Sequence, residues 1–138
     1  MTAFLLDTNV VFETRKPRPA PAVTAWIAQH ATADSFLSVL TIGELRRGCA
    51  RLADRDPGRA GRLGRWIDAL ESQFADRLLD IDVPVVTAWA GLPAGRTLPV
   101  VDSLLVATAA AHGLTLVTRN TRDVSGLGVA VLDPWAGG

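Results

Sequence analysis

Four carboxylates in this sequence stand close to the predicted ends of buried strands. Asp7 follows the apolar run "AFLL", and Glu44 lies in the first turn of the helix predicted after the second strand. Asp102 opens the helix that leads into the fourth predicted strand, and Asp123 lies in the loop predicted after that strand. Because α/β folds bind ligands outside the carboxyl ends of their strands, these acids could meet at one edge of a sheet.

Clustered carboxylates favour a divalent cation. Several carboxylates held together repel one another, and the apolar helix behind Asp102 raises the cost of leaving its charge unpaired. Hard oxygen ligands without clustered histidine or cysteine indicate Mg²⁺, with Mn²⁺ as a substitute. Such an ion commonly binds phosphate, activates water and stabilises displacement at phosphorus. These residue types therefore predict nuclease or phosphatase chemistry.

Each acid also has a structural alternative. Asp7 could cap a short helix. The segment "TIGE" has the pattern of a capping box, with Thr41 as the N-cap and Glu44 three residues later. Asp102 in a first helical turn gains from the helix dipole, and Asp123 could belong to a polar turn. Only their joint placement favours a reactive site over these local roles.

Composition limits the classes of protein that can carry such a site. The chain has 138 residues, of which 49% are hydrophobic and 20% charged, which fits one folded domain spanning 1–138. The formal net charge of zero argues against a protein that is basic overall. A single cysteine, Cys49, excludes an intrachain disulfide and suits the cytoplasm. No apolar stretch is long enough for a membrane span, and we expect no membrane association.

Strands alternate with helices along the chain. Short apolar runs predict strands at 3–6, 35–40, 77–81, 114–118 and 129–133. Apolar residues at helical spacing predict helices over 22–31, 41–53, 59–75, 83–92 and 100–113, the last ended by Gly113. This alternation predicts an α/β domain with a central parallel sheet of about five strands and helices on both faces.

Four motifs span almost the whole chain. They are "LLDTNVV" at the N-terminus, "SVLTIGELRRG" at 38–48, "LPVVDSLLVATAAAHGLTLVTRN" at 98–120 and "RNTRDV" at 119–124. In type and order these motifs resemble those of the PIN-domain ribonucleases, and in particular the VapC-type toxins of toxin–antitoxin pairs.

The resemblance implies roles for the acids. Asp7, Glu44 and Asp102 match the three acidic ligands of a catalytic Mg²⁺ or Mn²⁺, and Asp123 matches a more variable fourth position. Val124 and Ser125 stand where relatives often have phenylalanine after the last acid, which leaves the geometry around Asp123 open.

Polar residues beside the acids have implied supporting roles. Asn9 would position the first acid or a bound water, while Thr118 and Asn120 would hold the acid cluster or substrate by hydrogen bonds. Thr8 and Arg119 are weaker candidates for the same positioning. The family's activity further implies cleavage of RNA (tRNA, rRNA or mRNA), a VapB-type antitoxin partner, a homodimer, and a complex with the antitoxin on operator DNA.

The segment 46–65 concentrates positive charge. Its cations are Arg46, Arg47, Arg51, Arg55, Arg59, Arg62 and Arg65, opposed by Asp54 and Asp56. The alternative to a substrate-binding role is a solvated helical hairpin in a sequence that favours arginine over lysine. As a basic rim these residues would contact RNA phosphates, with Arg46 and Arg47, just after Glu44, and also Arg119 as the expected substrate contacts.

Two other functions remain open from the sequence. An aspartate-dependent phosphatase would use Asp7 as its nucleophile, but such enzymes usually need a second acid two residues later, where Asn9 stands. A catalytically inert PIN fold could bind RNA or a protein partner, although all four acids being present argues against loss of activity.

Overall fold

A parallel sheet forms the centre of the protein. A computed structural model describes residues 2–30 and 33–136. The strands are β1 (Phe4–Leu6), β2 (Ser35–Ser38), β3 (Leu78–Leu79), β4 (Thr115–Val117) and β5 (Val131–Leu132). Their order is β3-β2-β1-β4-β5, and all four neighbouring pairs are parallel. The predicted five-stranded parallel sheet is therefore confirmed.

Seven helices connect and flank the strands within the described residues. They are α1 (Thr8–Glu13), α2 (Pro21–His30), α3 (Val39–Ala53), α4 (Pro57–Gln73), α5 (Val83–Ala90), α6 (Val100–His112) and α7 (Thr121–Val124). The sequence predicted five of these, offered α1 only as the short helix that Asp7 could cap, and missed α7, because helices of one or two turns are too short to show a helical period. Ala31, the last residue of the predicted helix 22–31, lies outside the described residues.

The two faces of the sheet carry separate hydrophobic cores. Successive side chains of a strand point to opposite faces, so Phe4 and Leu6 of β1 enter one core and Leu5 enters the other. The first core is closed by residues of α1, α3 and α4, and the second by residues of α6 and the segment after β4. Helices therefore cover both faces of the sheet, as predicted.

Helix α3 begins earlier than predicted. The side chain of Ser38 accepts a hydrogen bond from the Leu40 amide at 3.0 Å and caps the helix. Thr41 instead lies fully buried in the first turn, so the capping-box interpretation of Thr41 and Glu44 is wrong. The chain passes directly from β2 into α3 because Ser38 both ends the strand and caps the helix.

Helix α6 is the most enclosed helix around the predicted site. Its residues Leu105–Ala109 are all buried, and it ends at Gly113 with φ of 65° as predicted. Its first turn carries Asp102. Asp102 therefore lies where this helix passes from the surface into the apolar core. Among residues 2–30 and 33–136, none of the helices could span a bilayer.

Candidate active site

Asp7 is fixed at the point where β1 meets β4. Its amide donates to the Val117 carbonyl at 2.9 Å, which continues the β1–β4 ladder by one residue. One carboxylate oxygen, Oδ1, accepts from the Thr8 amide at 2.7 Å, and Oδ2 accepts from the Thr118 hydroxyl at 2.6 Å. Asp7 does cap the short helix α1, and the same bonds orient its carboxylate at the sheet edge.

Thr8 connects the first acid to the second. Its hydroxyl donates to Glu44 Oε1 at 2.5 Å and lies 3.3 Å from the Thr41 hydroxyl. A carboxylate can only accept, so the single Thr8 proton is directed at Glu44. Helix α3 thereby presents Glu44 from its second turn toward the end of β1. The sequence ranked Thr8 only as a weak supporting candidate, yet it holds Glu44 directly.

Asp102 lies within electrostatic range of the three other predicted acids. Partial burial at the start of α6 is the largest cause that raises the pKa of Asp102. Repulsion from Asp7, Glu44 and Asp123 raises this pKa further. The structure thus brings Asp7 after β1, Glu44 on α3 and Asp123 on α7 within electrostatic range of Asp102 on α6.

Asp123 lies in a helix where a loop was predicted, so the loop prediction for this segment is wrong. Residues Thr121–Val124 form α7, and Val124 is buried in the second core. Val124 thus anchors the helix that carries Asp123. The Arg96 guanidinium donates to the Asp123 carbonyl at 3.1 Å and to that of Arg122 at 3.4 Å. Arg96, which the sequence reasoning did not identify, therefore fixes the backbone that carries Asp123.

Two asparagines complete the polar surface around Asp7. The backbone amide of Asn120 donates to the Thr118 hydroxyl at 3.1 Å, so this hydroxyl links the loop after β4 to Asp7. Asn9 and Asn120 line the same cavity as Asp7. Their positioning roles stay a prediction.

An open cavity of about 580 Å³ lies over the acids. Its polar lining comprises Asp7, Thr8, Asn9, Glu44, Asp102 and Asn120. Its apolar lining comprises Phe12, Leu45, Gly48, Leu52 and Leu63. Arg55 and Arg59 complete the wall. The cavity thus combines acids, an apolar floor and two cations, which suits a substrate that is itself both apolar and anionic.

Of the three arginines predicted to contact substrate, Arg46 is already engaged by acids of another helix. Arg46 pairs with Asp68 at 2.6 Å and with Glu71 at 2.9 Å, and these bonds raise the pKa of its guanidinium. Arg47 is exposed on α3, and the Arg119 guanidinium lies 5.0 Å from the centre of the Trp135 ring. The structure therefore directs Arg46 toward α4, away from the role that the sequence assigned to it.

Arg55 and Arg59 are the cavity-lining cations that the sequence reasoning did not single out. In the described part of the chain, neither guanidinium forms an ion pair. Helical spacing indicates only part of this wall, because residues four apart share one face of a helix. On α3, steps of four from Glu44 reach Gly48 and Leu52, which line the cavity, while Arg55 lies in the turn after α3 and Arg59 lies on α4.

The donor set suits a hard divalent cation. The acids offer carboxylate oxygens only. Burial first, and then repulsion from the three other acids, raises the pKa of Asp102, and a bound cation would oppose both effects. Across residues 2–30 and 33–136, the side chains as placed do not form a ready cluster of three His, Cys, Asp or Glu around a single ion. The fit therefore rests on donor chemistry and charge, and an ion would have to draw the carboxylates closer together.

The chain is similar to known proteins over almost its whole length. The PIN domain family model matches residues 4–125. The chain is 35% identical over 138 residues to Toxin FitB of Neisseria gonorrhoeae, covering 95% of this chain and 97% of FitB. It is 34% identical over 139 residues to VapC ribonuclease Y4jK of Sinorhizobium fredii, covering 95% and 96% of the two chains.

A solved structure is similar over almost the same extent. The structure of FitAB bound to an IR36 DNA fragment has a chain that matches with a TM-score of 0.88 and 33% identity. The match covers 96% of this chain and 95% of that one. The similarity therefore extends over the sheet and both layers of helices.

Proposed function

Because the chain belongs to the PIN-domain family, among the VapC-type toxins, we propose that it is an endoribonuclease toxin that hydrolyses RNA with Mg²⁺ or Mn²⁺. The observation that carries this proposal is that Asp7, Glu44 and Asp102 line one open cavity, with Asp123 within electrostatic range of Asp102. RNA hydrolysis at phosphorus needs a cation to oppose the charge of these acids and of the phosphate.

The residues that would hold the ion are Asp7, Glu44 and Asp102, with Asp123 as a further carboxylate. When bound, Mg²⁺ or Mn²⁺ would supply an activated water and stabilise the negative charge that develops at phosphorus. The protein's own contribution is positioning: Thr118 and the Thr8 amide fix both oxygens of Asp7, while the Thr8 hydroxyl fixes Glu44. These bonds hold the acids before any ligand binds.

The opposite wall of the cavity is suited to hold RNA. Arg55 and Arg59 are free of ion pairs in the described residues and line the cavity that contains the acids. Their guanidinium groups can donate two parallel hydrogen bonds to a phosphate. Asn9 and Asn120 offer amide donors and acceptors next to Asp7. RNA would therefore lie across the cavity with its scissile phosphate at the acidic end.

We also propose that the protein acts in the cytoplasm with an antitoxin of the VapB type. The names of its relatives support the antitoxin partner, since FitB is a toxin and FitAB was solved bound to an IR36 DNA fragment. That DNA-bound structure is also the reason to propose assembly with the antitoxin on operator DNA. A homodimer is the expected state of the free toxin.

Metal-dependent RNA cleavage tests the proposal. The purified protein is stripped with a chelator and incubated with structured RNA, and cleavage is expected to return when Mn²⁺ or Mg²⁺ is added. Calorimetric titration with Mn²⁺ separates this function from an inert binding module. The absence of both metal binding in the millimolar range and cleavage would contradict the proposal.

A further inference from the structure

A second cavity adjoins the first and is lined by cations. It has a volume of about 280 Å³ and contains Arg15, Lys16, Arg59 and Arg62. Its remaining lining residues are Phe12, Pro17, Leu52 and Leu63, so this lining includes no carboxylate. A concave surface with four cationic side chains and no lining acid attracts anions.

The two cavities form one continuous trough. They share Phe12, Leu52, Arg59 and Leu63 as lining residues. The trough therefore runs from the acids at the sheet edge, over an apolar floor, to the cationic cavity between the segment after α1 and the start of α4. Its two ends carry opposite charge, although the protein as a whole has no net charge.

Most of the cationic side chains remain available for a ligand. Among the described residues, Arg59 and Arg62 form no ion pair. Arg15 lies 5.8 Å from the centre of the Trp66 ring, and stacking on a ring leaves the edge N–H groups of a guanidinium free to donate. Lys16 pairs with Glu13 at 2.9 Å and is the one cation of the four already engaged.

We propose that Arg15, Arg59 and Arg62 form a subsite for a backbone phosphate of the RNA strand that flanks the scissile bond. This inference rests on the proposed function, because it assigns the path of the same substrate. Phe12 lies between the two ends and is 38% exposed, so its ring can contact a base of the intervening nucleotides. The subsite would set the minimum length of RNA that binds tightly and would make binding sensitive to salt.

The alternating character of the trough favours RNA over an acidic protein segment. A nucleotide chain presents apolar base faces and regularly repeated phosphates, which match an apolar floor followed by a cationic cavity. An acidic peptide in the same trough would have to keep its carboxylates away from Asp7, Glu44 and Asp102. Binding of such a segment of a protein partner is therefore the competing outcome of the test.

The test compares two double variants with equal changes of charge. Arg15→Gln/Arg62→Gln removes cations that line only the second cavity, whereas Arg51→Gln/Arg65→Gln removes exposed cations of the same hairpin that line neither cavity. Both are made in an Asp7→Asn background so that the RNA stays intact. Fluorescence anisotropy measures binding of labelled single-stranded RNAs of four and twelve nucleotides over a range of salt concentrations.

If the subsite exists, the loss of binding affinity should be confined to the longer RNA. Arg15→Gln/Arg62→Gln should bind the twelve-nucleotide RNA roughly tenfold more weakly, with the slope of log K against log salt reduced by about 1. It should bind the four-nucleotide RNA as the background protein does. The Arg51→Gln/Arg65→Gln control should bind both as the background does, and thermal unfolding should confirm that both variants are folded.

Two results would overturn the subsite, and they differ from failure of the proposed function. Equal loss of affinity in the two double variants would show that only net charge matters. Retained RNA affinity together with lost affinity for a purified antitoxin would assign the cavity to a protein partner. If the Asp7→Asn protein still cleaves RNA, the proposed function fails, while the KM for the longer RNA still tests the subsite.

Discussion

The Thr118 hydroxyl donates a hydrogen bond to Asp7 Oδ2 at 2.6 Å, across 111 residues of sequence. The two residues follow the neighbouring parallel strands β1 and β4 at the same edge of the sheet. Thr118 is 1% exposed, and its hydroxyl also accepts a hydrogen bond from the backbone amide of Asn120. One bond donated and one bond accepted therefore fix the orientation of this hydroxyl. The orientation of the first acid therefore depends on a residue that is not itself acidic.

Thr118→Val should lower kcat for RNA cleavage by about 10–100-fold, with a smaller effect on stability. Valine keeps the shape of threonine but leaves Asp7 Oδ2 without its donor. Thr118→Ser restores the donor and should retain most of the activity. Single-turnover cleavage rates and Mn²⁺ affinity, measured on all three proteins, check this role.

A purely structural role for Thr118 would give a different pattern. Thr118→Val and Thr118→Ser would then lose activity in proportion to their loss of thermal stability. Their Mn²⁺ affinity would stay unchanged once the folded fraction is taken into account.

Asp102→Asn should stabilise the metal-free protein at neutral pH by up to about 1 kcal/mol. The effect is small because solvent screens the charge of this partly exposed side chain. Burial and three neighbouring acids raise the pKa of Asp102, so its charged form destabilises the folded state. That cost disappears as the pH falls and Asp102 takes up a proton. Thermal unfolding without metal, from neutral to acidic pH, measures the difference.

Mn²⁺ should reverse the order of stability between the two proteins. It should raise the unfolding temperature of the wild type more than that of Asp102→Asn, because the variant lacks one carboxylate ligand. If Asp102→Asn were less stable than the wild type without metal, interaction with the N-terminus of α6 would outweigh repulsion among the acids.

Arg55→Gln/Arg59→Gln should weaken RNA binding roughly tenfold at low salt, whereas Arg46→Gln should leave it nearly unchanged. Arg55 and Arg59 line the cavity, while Asp68 and Glu71 engage Arg46. Arg46→Gln should instead lower stability by less than about 1 kcal/mol, since its ion pairs are exposed. Filter binding in Asp7→Asn backgrounds compares these variants, and a larger loss for Arg46→Gln would restore the role first predicted from sequence.

Glu13→Gln should lower the unfolding temperature at neutral pH, and the difference from wild type should shrink in acid. The hydrogen bond from Lys16 is the first cause that holds the pKa of Glu13 below its usual value, and the Ala20 amide adds to it at 2.8 Å. The ionised carboxylate therefore stabilises the fold above the ordinary glutamate pKa and loses this effect as the pH falls through its lowered value. Asp80→Asn, an exposed change, serves as the control, and a pH-independent difference would contradict the role of ionised Glu13.

Most of the fold could be predicted from long segments in which apolar residues recur at regular spacing. The apolar runs and helical spacing identified the sheet, the buried α6 and the convergence of acids at the strand ends. Short elements could not be predicted in this way: α1 and α7 lack a measurable period, and Ser38 began α3 before the apparent capping box at Thr41. These elements depend on local capping and on contacts that only the folded chain provides.

The arginines illustrate a second limit. Arg46 was favoured because it follows Glu44 closely in sequence, but adjacent residues on a helix point in different directions. Whether a cation is free or paired depends on another helix, since Asp68 and Glu71 belong to α4. Arg55 follows the end of α3 and Arg59 belongs to α4, so spacing along one helix does not bring them to Glu44. No local pattern reveals that Arg46 is already engaged.

Cleavage of one RNA by the wild type and by Asp7→Asn, titrated with Mn²⁺ after chelation, tests the central claim most directly. Asp7 is held by Thr8 and Thr118 at the sheet edge, so asparagine should preserve the fold while removing a charged ligand. We predict cleavage that depends on Mn²⁺ in the wild type and a rate at least about 100-fold lower in Asp7→Asn at every metal concentration. Equal rates for the two proteins, or a rate that does not respond to metal, would contradict a carboxylate-bound cation as the centre of this site.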